Sequence, residues 1–289
     1  MKRKLALELL ALLALVAFLL AAGCNKSTVQ TPTLRLSMVP NTDPGRIVRE
    51  GQSLVSYLER ETGAKVELTV PTNYAAVVEA IANDQIDIAY FGGFTYVQAS
   101  ARAGVLPLVQ RERDQNFHSL FITQSNSPIN SLEDLKGHAF AFGDVNSTSG
   151  HLMPEYFMRQ AGVDPEVIRK ATYSNGHDAT ALAVANKKVD AGAMDEAVYQ
   201  RMTREGKLDS SKVRVFYTTP PFFDYVWAAR KGLDSKLSEA FSNAFLKLDP
   251  ENAEHKQLLE FLSATKYVRA KDSDYDKLRQ AARDAGLMK

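Results

Sequence analysis

The stretch Gly143-Asp144-Val145-Asn146-Ser147-Thr148-Ser149-Gly150 sets three adjacent hydroxyls and a glycine between a strand-like run and a helix-like one. At a helix start the first amides lack intrahelical partners, and the positive end of the helix dipole faces outward. Hydroxyl donors added to such a start suit an oxyanion. An ordinary N-cap followed by a turn needs the same residue types, so the segment alone leaves both uses open. His177 follows Ser174-Asn175-Gly176 and precedes the run Ala179 to Ala185, which makes it the opening residue of another helix. There its ring is either an anion donor or a solvated cap. Asp195-Glu196 and Asp224 follow strand-like runs. Isolated carboxylates are usually surface groups, but open α/β sheets hold ligands at strand ends, which singles these out together. Tyr74, after Pro71-Thr72-Asn73, and Tyr90-Phe91, before Gly92-Gly93, either cover such a site or pack in the core.

The elements that must position these residues alternate between two periodicities, as an α/β architecture requires. Leu34 to Val39, Lys65 to Val70 and Ile86 to Phe91 read as strands. Ile47, Leu54, Val55 and Leu58 form one helical stripe that stops near Gly63, and Tyr74, Val77, Val78 and Ile81 form another at i, i+3, i+4, i+7. A second βα series after Thr123 takes in Ser131 to Leu135, Ala139 to Phe142, a helix after Ser149 and a helix after His177. Pro154 must sit in the first turn of its helix or kink it. Ala191 to Met194 and Val213 to Thr218 supply later strands, and helices near Leu237–Leu248, Ala253–Leu262 and Tyr275–Ala285 end the chain.

Composition narrows the function classes. The chain has 289 residues, 35 Lys+Arg against 34 Asp+Glu and a net charge of +1, which argues against a nucleic-acid partner. Its one cysteine excludes a disulfide scaffold, a CxxC pair and a cysteine-rich zinc site. The five histidines show no metal-ligand spacing, and no P-loop, HExxH, GxSxG or GxGxxG pattern occurs. No cofactor is expected. Lys2, Arg3 and Lys4, the apolar run Leu9 to Ala22, then Gly23 and Cys24 read as an export leader with a small-residue cleavage site, the less favoured alternative being an N-terminal anchor helix. Leu20-Ala21-Ala22-Gly23-Cys24 resembles a bacterial lipobox, which implies lipidation of Cys24 and anchoring by several acyl chains. Cleavage there removes three basic residues and one acidic one, taking the charge from +1 to −1. Residues 24–33 then form the lipidated cysteine and a polar tether.

Thr72-Asn73-Tyr74, Asp87-Ile88-Ala89-Tyr90-Phe91-Gly92, Asn146-Ser147-Thr148-Ser149-Gly150 and Gly176-His177 with Leu182-Ala183-Val184-Ala185-Asn186 occur in that order. Together they resemble the phosphate/phosphite/phosphonate-binding proteins of ABC importers, over about Leu34 to Trp227. The resemblance implies a two-lobed type II periplasmic binding protein, each lobe a mainly parallel sheet flanked by helices, with two hinge segments. The implied division is 34–122 plus 219–289 for lobe 1 and 123–218 for lobe 2, after the leader 1–23. It also implies that Ser147, Thr148, Ser149 and His177 hold a phosphorus oxyanion, covered by Tyr74 and Phe91 from the first lobe. Relatives that grip a ligand amine use acidic residues near Asp195 or Glu196 and Asp224. Phe91 departs from the tyrosine common in phosphonate binders, which removes a hydroxyl unless Tyr90 replaces it.

The expected function is therefore solute capture for an ABC permease and ATPase, by a monomer held at the periplasmic face of the envelope by its lipid. A sensory binding protein that presents the same ligand to a histidine-kinase receptor is the alternative. An enzyme on this fold lacks a visible nucleophile once Cys24 is committed to the anchor. A carboxylate near the oxyanion favours a protonated P–OH over sulfate, and affinity is expected to vary with pH near neutrality through His177 and the ligand's own titration.

Overall fold

The computed structural model describes residues 31–165, 168 and 170–288. Cys24 and its leader lie outside the described residues. From Thr33 the chain runs through Thr33–Met38 (β1), Pro44–Glu50 (α1), Gln52–Thr62 (α2), Lys65–Thr69 (β2), Tyr74–Ala82 (α3), Ile88–Phe91 (β3), Gly93–Ala103 (α4) and Leu106–Arg111 (β4). It then crosses into Ser119–Gln124 (β5), Ala139–Phe142 (β6), Met153–Gln160 (α5), Lys170–Tyr173 (β7), His177–Ala185 (α6), Ala191–Asp195 (β8), Glu196–Arg204 (α7) and Val213–Thr218 (β9). A second crossing returns it to Val226–Ala229 (β10), Ser235–Leu246 (α8), Ala253–Phe261 (α9), Tyr267–Arg269 (β11) and Asp276–Asp284 (α10).

These strands make two sheets, ordered β11-β4-β10-β3-β1-β2 and β7-β6-β8-β5-β9. Parallel ladders join β2, β1 and β3 in the first, and β7, β6 and β8 in the second. The remaining ladders are antiparallel, so both sheets are mixed: β5 opposes both β8 and β9, β10 opposes both β3 and β4, and β11 opposes β4. The crossings themselves are clamped: Phe117 and Phe222 exchange both backbone hydrogen bonds, at 2.9 and 3.0 Å, and the Asp224 amide donates to the Asp114 carbonyl at 3.0 Å.

Local sequence explains much of this. The stripe Tyr74, Val77, Val78 and Ile81 is the buried face of α3, and the Asn73 side chain caps its start by accepting from the Ala76 amide. The single stripe read from Ile47 to Leu58 is two helices, because the chain breaks at Gly51. A Cβ there would meet Leu68 Cδ2 at 2.6 Å and the Ile47 carbonyl at 2.7 Å. In the second sheet, strand alternation divides the core. Leu120, Ile122, Ala139 and Ala141 face α6 and α7 residues, whereas Phe121, Phe140 and Phe142 pack with Met158 on the α5 side. Glu133–Leu135 is a single 3-10 turn, and Pro154 does fall in the first turn of α5.

Candidate functional site

The hydroxyl segment lies between β6 and α5, where Thr148–Leu152 forms a π-helical turn. Such turns are rare and frequently sit at functional sites. Gly150 is what lets it close. A Cβ there would meet Ser147 Oγ at 2.9 Å and both Gly143 Cα and His177 Cε1 at 3.0 Å. Ser147 Oγ accepts from the Gly150 amide at 3.0 Å, so capping, one of the two uses open to the motif, is realised at this residue. Its O–H remains free to donate elsewhere. The Ser149 hydroxyl is buried and finds no partner among the described residues.

Thr148 reaches the other sheet. Its Oγ1 accepts from the Phe94 amide at 2.9 Å, and Asp224 Oδ1 accepts from the Gly93 amide at 3.0 Å. The start of α4 is thereby capped from outside by one residue of the second lobe and one of the crossing. Gly92 makes this approach possible, since a Cβ there would stand 3.1 Å from Thr148 Oγ1 and 3.5 Å from Asp224 Oδ1. Asp224 is fully buried, and its second oxygen, Oδ2, has no partner among the described residues. Burial pushes its carboxyl up to about 7, aided by Asp114 and Asp195 and opposed by the Gly93 amide.

His177 opens α6 as expected, with its amide donating to the Asn41 carbonyl at 3.0 Å. Its Nδ1 accepts from the Asp195 amide at 3.2 Å, and Nε2 lies 3.4 Å from the Tyr225 hydroxyl. Burial lowers the pKa of the ring, with Asp195 and Asp178 partly opposing. With Nδ1 accepting and its pKa lowered, the neutral His177 ring presents Nε2–H as a donor. Asp195 Oδ1 caps α7 by accepting from the Val198 amide at 2.8 Å. Burial raises that carboxyl, but His177, Arg111 and the Val198 amide outweigh it and hold it low.

Tyr74 is buried, its amide 3.4 Å from Asp144 Oδ2, and its hydroxyl, beside that of Tyr225, has no hydrogen-bond partner among the described residues. Phe91 is buried in β3, paired with Val226, and brings no polar group. The Tyr90 hydroxyl has no hydrogen-bond partner among the described residues. The Tyr90 ring stacks on that of Tyr225 at 5.1 Å. Glu196 is held by Arg113 at 3.4 Å on the edge of the second lobe.

Thr148, Asp224, His177, Tyr74 and Tyr225 therefore meet where the two sheets face each other, with Ser149 beside them. The lobes touch around this point through Asn41 with His177, Asp43 with Asp178, Gln98 with Asn146, and Arg46 with Glu205. A groove of about 750 Å³ between Arg46, Arg113, Arg204 and Glu205 lies along the outer edge of α1 and α7 rather than here. Among the described residues no group of three or more His, Cys, Asp or Glu could hold a metal.

This chain matches the family model described as "ABC transporter, phosphonate, periplasmic substrate-binding protein" over residues 36–275. The chain belongs to this family. It is 30% identical over 263 residues to a probable ABC transporter phosphite-binding protein, PhnD1, of Prochlorococcus marinus, covering 86% of this chain and 89% of that one. A phosphate-import protein, PhnD, of Mycolicibacterium smegmatis is 29% identical over 249 residues, 78% of each chain. The solved structure of the P. marinus PhnD1 with methylphosphonate superposes with a TM-score of 0.84, at 29% identity over 88% of this chain and 98% of that one. The chain is thus a substrate-binding protein of the ABC-transporter type, with the two-lobed type II fold.

Sequence reading missed part of the periphery. Tyr225 adjoins Asp224 and was legible as its neighbour. Nothing local in Arg111 or Asp114 announced a buried ion pair at 2.6 Å, with the guanidinium 4.9 Å from the Tyr225 ring centre. Asn41, whose amide is 3.4 Å from the Tyr225 hydroxyl, belongs to a turn that carried no such signal.

Proposed function

We propose that this protein captures a small phosphorus oxyanion, phosphite, phosphate or a small phosphonate, between its lobes and delivers it to the permease of an ABC importer. The observation that carries the reading is the unpartnered, buried Asp224 Oδ2 beside Thr148, with the Ser149 and Tyr74 hydroxyls also unpartnered among the described residues. A buried polar atom without a partner costs free energy unless a ligand satisfies it. Ser147, Thr148, Ser149 and the Nε2–H of His177 donate to the oxyanion. Asp224 shares one proton with it, accepting from P–OH when ionised and donating when neutral. The ring of Tyr225, whose hydroxyl lies 3.4 Å from His177 Nε2, narrows the site and favours a small ligand. Tyr74 and Phe91 cover it from the first lobe, and Asp195 acts through His177.

The lobes, 34–122 with 219–289 and 123–218, close about the two crossings. The protein binds without turning over its ligand, as a monomer, and Cys24 carries the lipid that holds it at the periplasmic face. The resemblance of Leu20 to Cys24 to a lipobox supports that anchor. Thermal unfolding with phosphite, phosphate, methylphosphonate, aminoethylphosphonate and sulfate tests the ligand class. At least one phosphorus species should raise the melting temperature by mass action, and no rise with any of them would overturn the reading.

A further inference from the structure

A second histidine, His151, sits inside the π-helical turn and is 1% exposed. Its Nδ1 lies 2.6 Å from the Val145 carbonyl oxygen, which can only accept, so Nδ1 carries a proton. Its Nε2 lies 3.0 Å from Glu155 Oε2. Glu155 is held below the ordinary carboxylate range, by His151 first and then by Arg159, whose Nε donates to Oε1 at 2.9 Å. With Arg159 donating to Oε1, Oε2 faces Nε2 as an acceptor, and a proton on Nε2 completes that contact. Tyr173, with its hydroxyl 3.1 Å from Nε2, suits either role and does not decide the matter. The edges of the ring are otherwise closed by Phe142, at 5.2 Å, and by the Tyr173 ring at 5.0 Å.

We propose that His151 is the fixed cation of the hydroxyl turn, a doubly protonated imidazolium that braces Val145 to Glu155 and lends positive charge to the oxyanion donors beside it. The division of labour with His177 follows from their partners. His177 faces one backbone donor and is neutral; His151 faces two acceptors and is charged. The Leu152 amide bonds to the Ser147 carbonyl at 3.0 Å, the i to i+5 pattern that turns the His151 ring back onto Val145. His151 is a positioning residue, since no ligand contact is assigned to it. Its effect on affinity rests on the phosphorus-oxyanion reading, whereas its charge does not.

The charge is read directly from ring-nitrogen NMR of histidine-labelled, ligand-free protein at pH 7. His151 should show both nitrogens protonated, beside His177 with one protonated and one bare. A bare nitrogen on His151 would overturn the proposal. His151→Asn keeps a donor for Val145 but removes the charge and the bond to Glu155. It should weaken binding of whichever oxyanion binds the wild type by roughly tenfold, and Glu155→Gln should shift the His151 ring signals toward the neutral form. Unchanged affinity in a folded His151→Asn would also overturn the role. If that variant does not fold, the ring spectrum decides alone. A wild type that binds no phosphorus oxyanion sinks the functional reading and, with it, the role of His151 in affinity, while the spectrum still tests the charge.

Discussion

The main-chain amide of Asp195 donates to Nδ1 of His177 at 3.2 Å, across the junction of β8 and α6. A backbone amide cannot reverse its role, so this contact fixes the tautomer that presents Nε2–H. His177→Ala should therefore weaken oxyanion binding by about 1–3 kcal/mol, the range for losing one donor to a charged group. The shape of the affinity profile between pH 6 and 8 should be the same in wild type and variant. A profile that flattens in His177→Ala would return the titration to this ring.

Asp224 is the buried carboxyl expected to titrate near neutrality. Its carboxyl is raised to about 7 in the folded protein from an ordinary 3.8. The folded state then keeps a proton that the unfolded chain releases. This contribution is full below about pH 4, declines as pH rises and is gone above about 7. Relative to Asp224→Asn, which stays neutral, the ligand-free wild type should lose a few kcal/mol between pH 4 and 8. Chemical denaturation of both proteins across that range checks this, and a constant difference would contradict it.

Selectivity against sulfate should follow the same proton. Above about pH 7 an ionised Asp224 needs a P–OH to accept from, and sulfate has none. Below that, a neutral Asp224 can donate to either anion. Discrimination should shrink as pH falls from 8 to 5.5 and be small at all pH values in Asp224→Asn. Competition binding measures it, and discrimination that persists in the variant would assign selectivity elsewhere.

Thr148 has two duties that substitution can separate. Thr148→Val removes the acceptor for the buried Phe94 amide, which should cost about 1–3 kcal/mol of stability. It removes an oxyanion donor as well. Thr148→Ser keeps both and should resemble wild type in denaturation and in binding. Loss of affinity in Thr148→Ser would mean that the methyl, not the hydroxyl, matters.

The sequence exposed what is local and periodic. The α3 stripe, its Asn73 cap, the β6 to α5 hydroxyl segment and the helix opening at His177 all appear in the structure where the residues put them. What was hidden depends on partners distant in the chain. β10, Val226–Ala229, is buried on both faces and has no alternation to display. Glycine and aromatic residues at Gly93–Tyr96 masked the start of α4, whose amides are capped by Asp224 and Thr148. The use of Ser147 and Asp195 as caps could not be told from ligand contact by residue type, because a serine hydroxyl can accept from an amide or donate to an oxyanion and a carboxylate accepts in either role. The second proton on His151 required knowing that Val145 and Glu155 stand on either side of one ring.

Titration calorimetry at pH 7 with phosphite, methylphosphonate, phosphate and sulfate, on wild type, Ser149→Ala and Asp224→Asn, tests the central claim most directly. Binding of at least one phosphorus oxyanion at one site per chain is predicted, with sulfate much weaker and with Ser149→Ala weaker by about 1–3 kcal/mol. Absence of binding by every phosphorus oxyanion, or equal affinity in all three proteins, would contradict it.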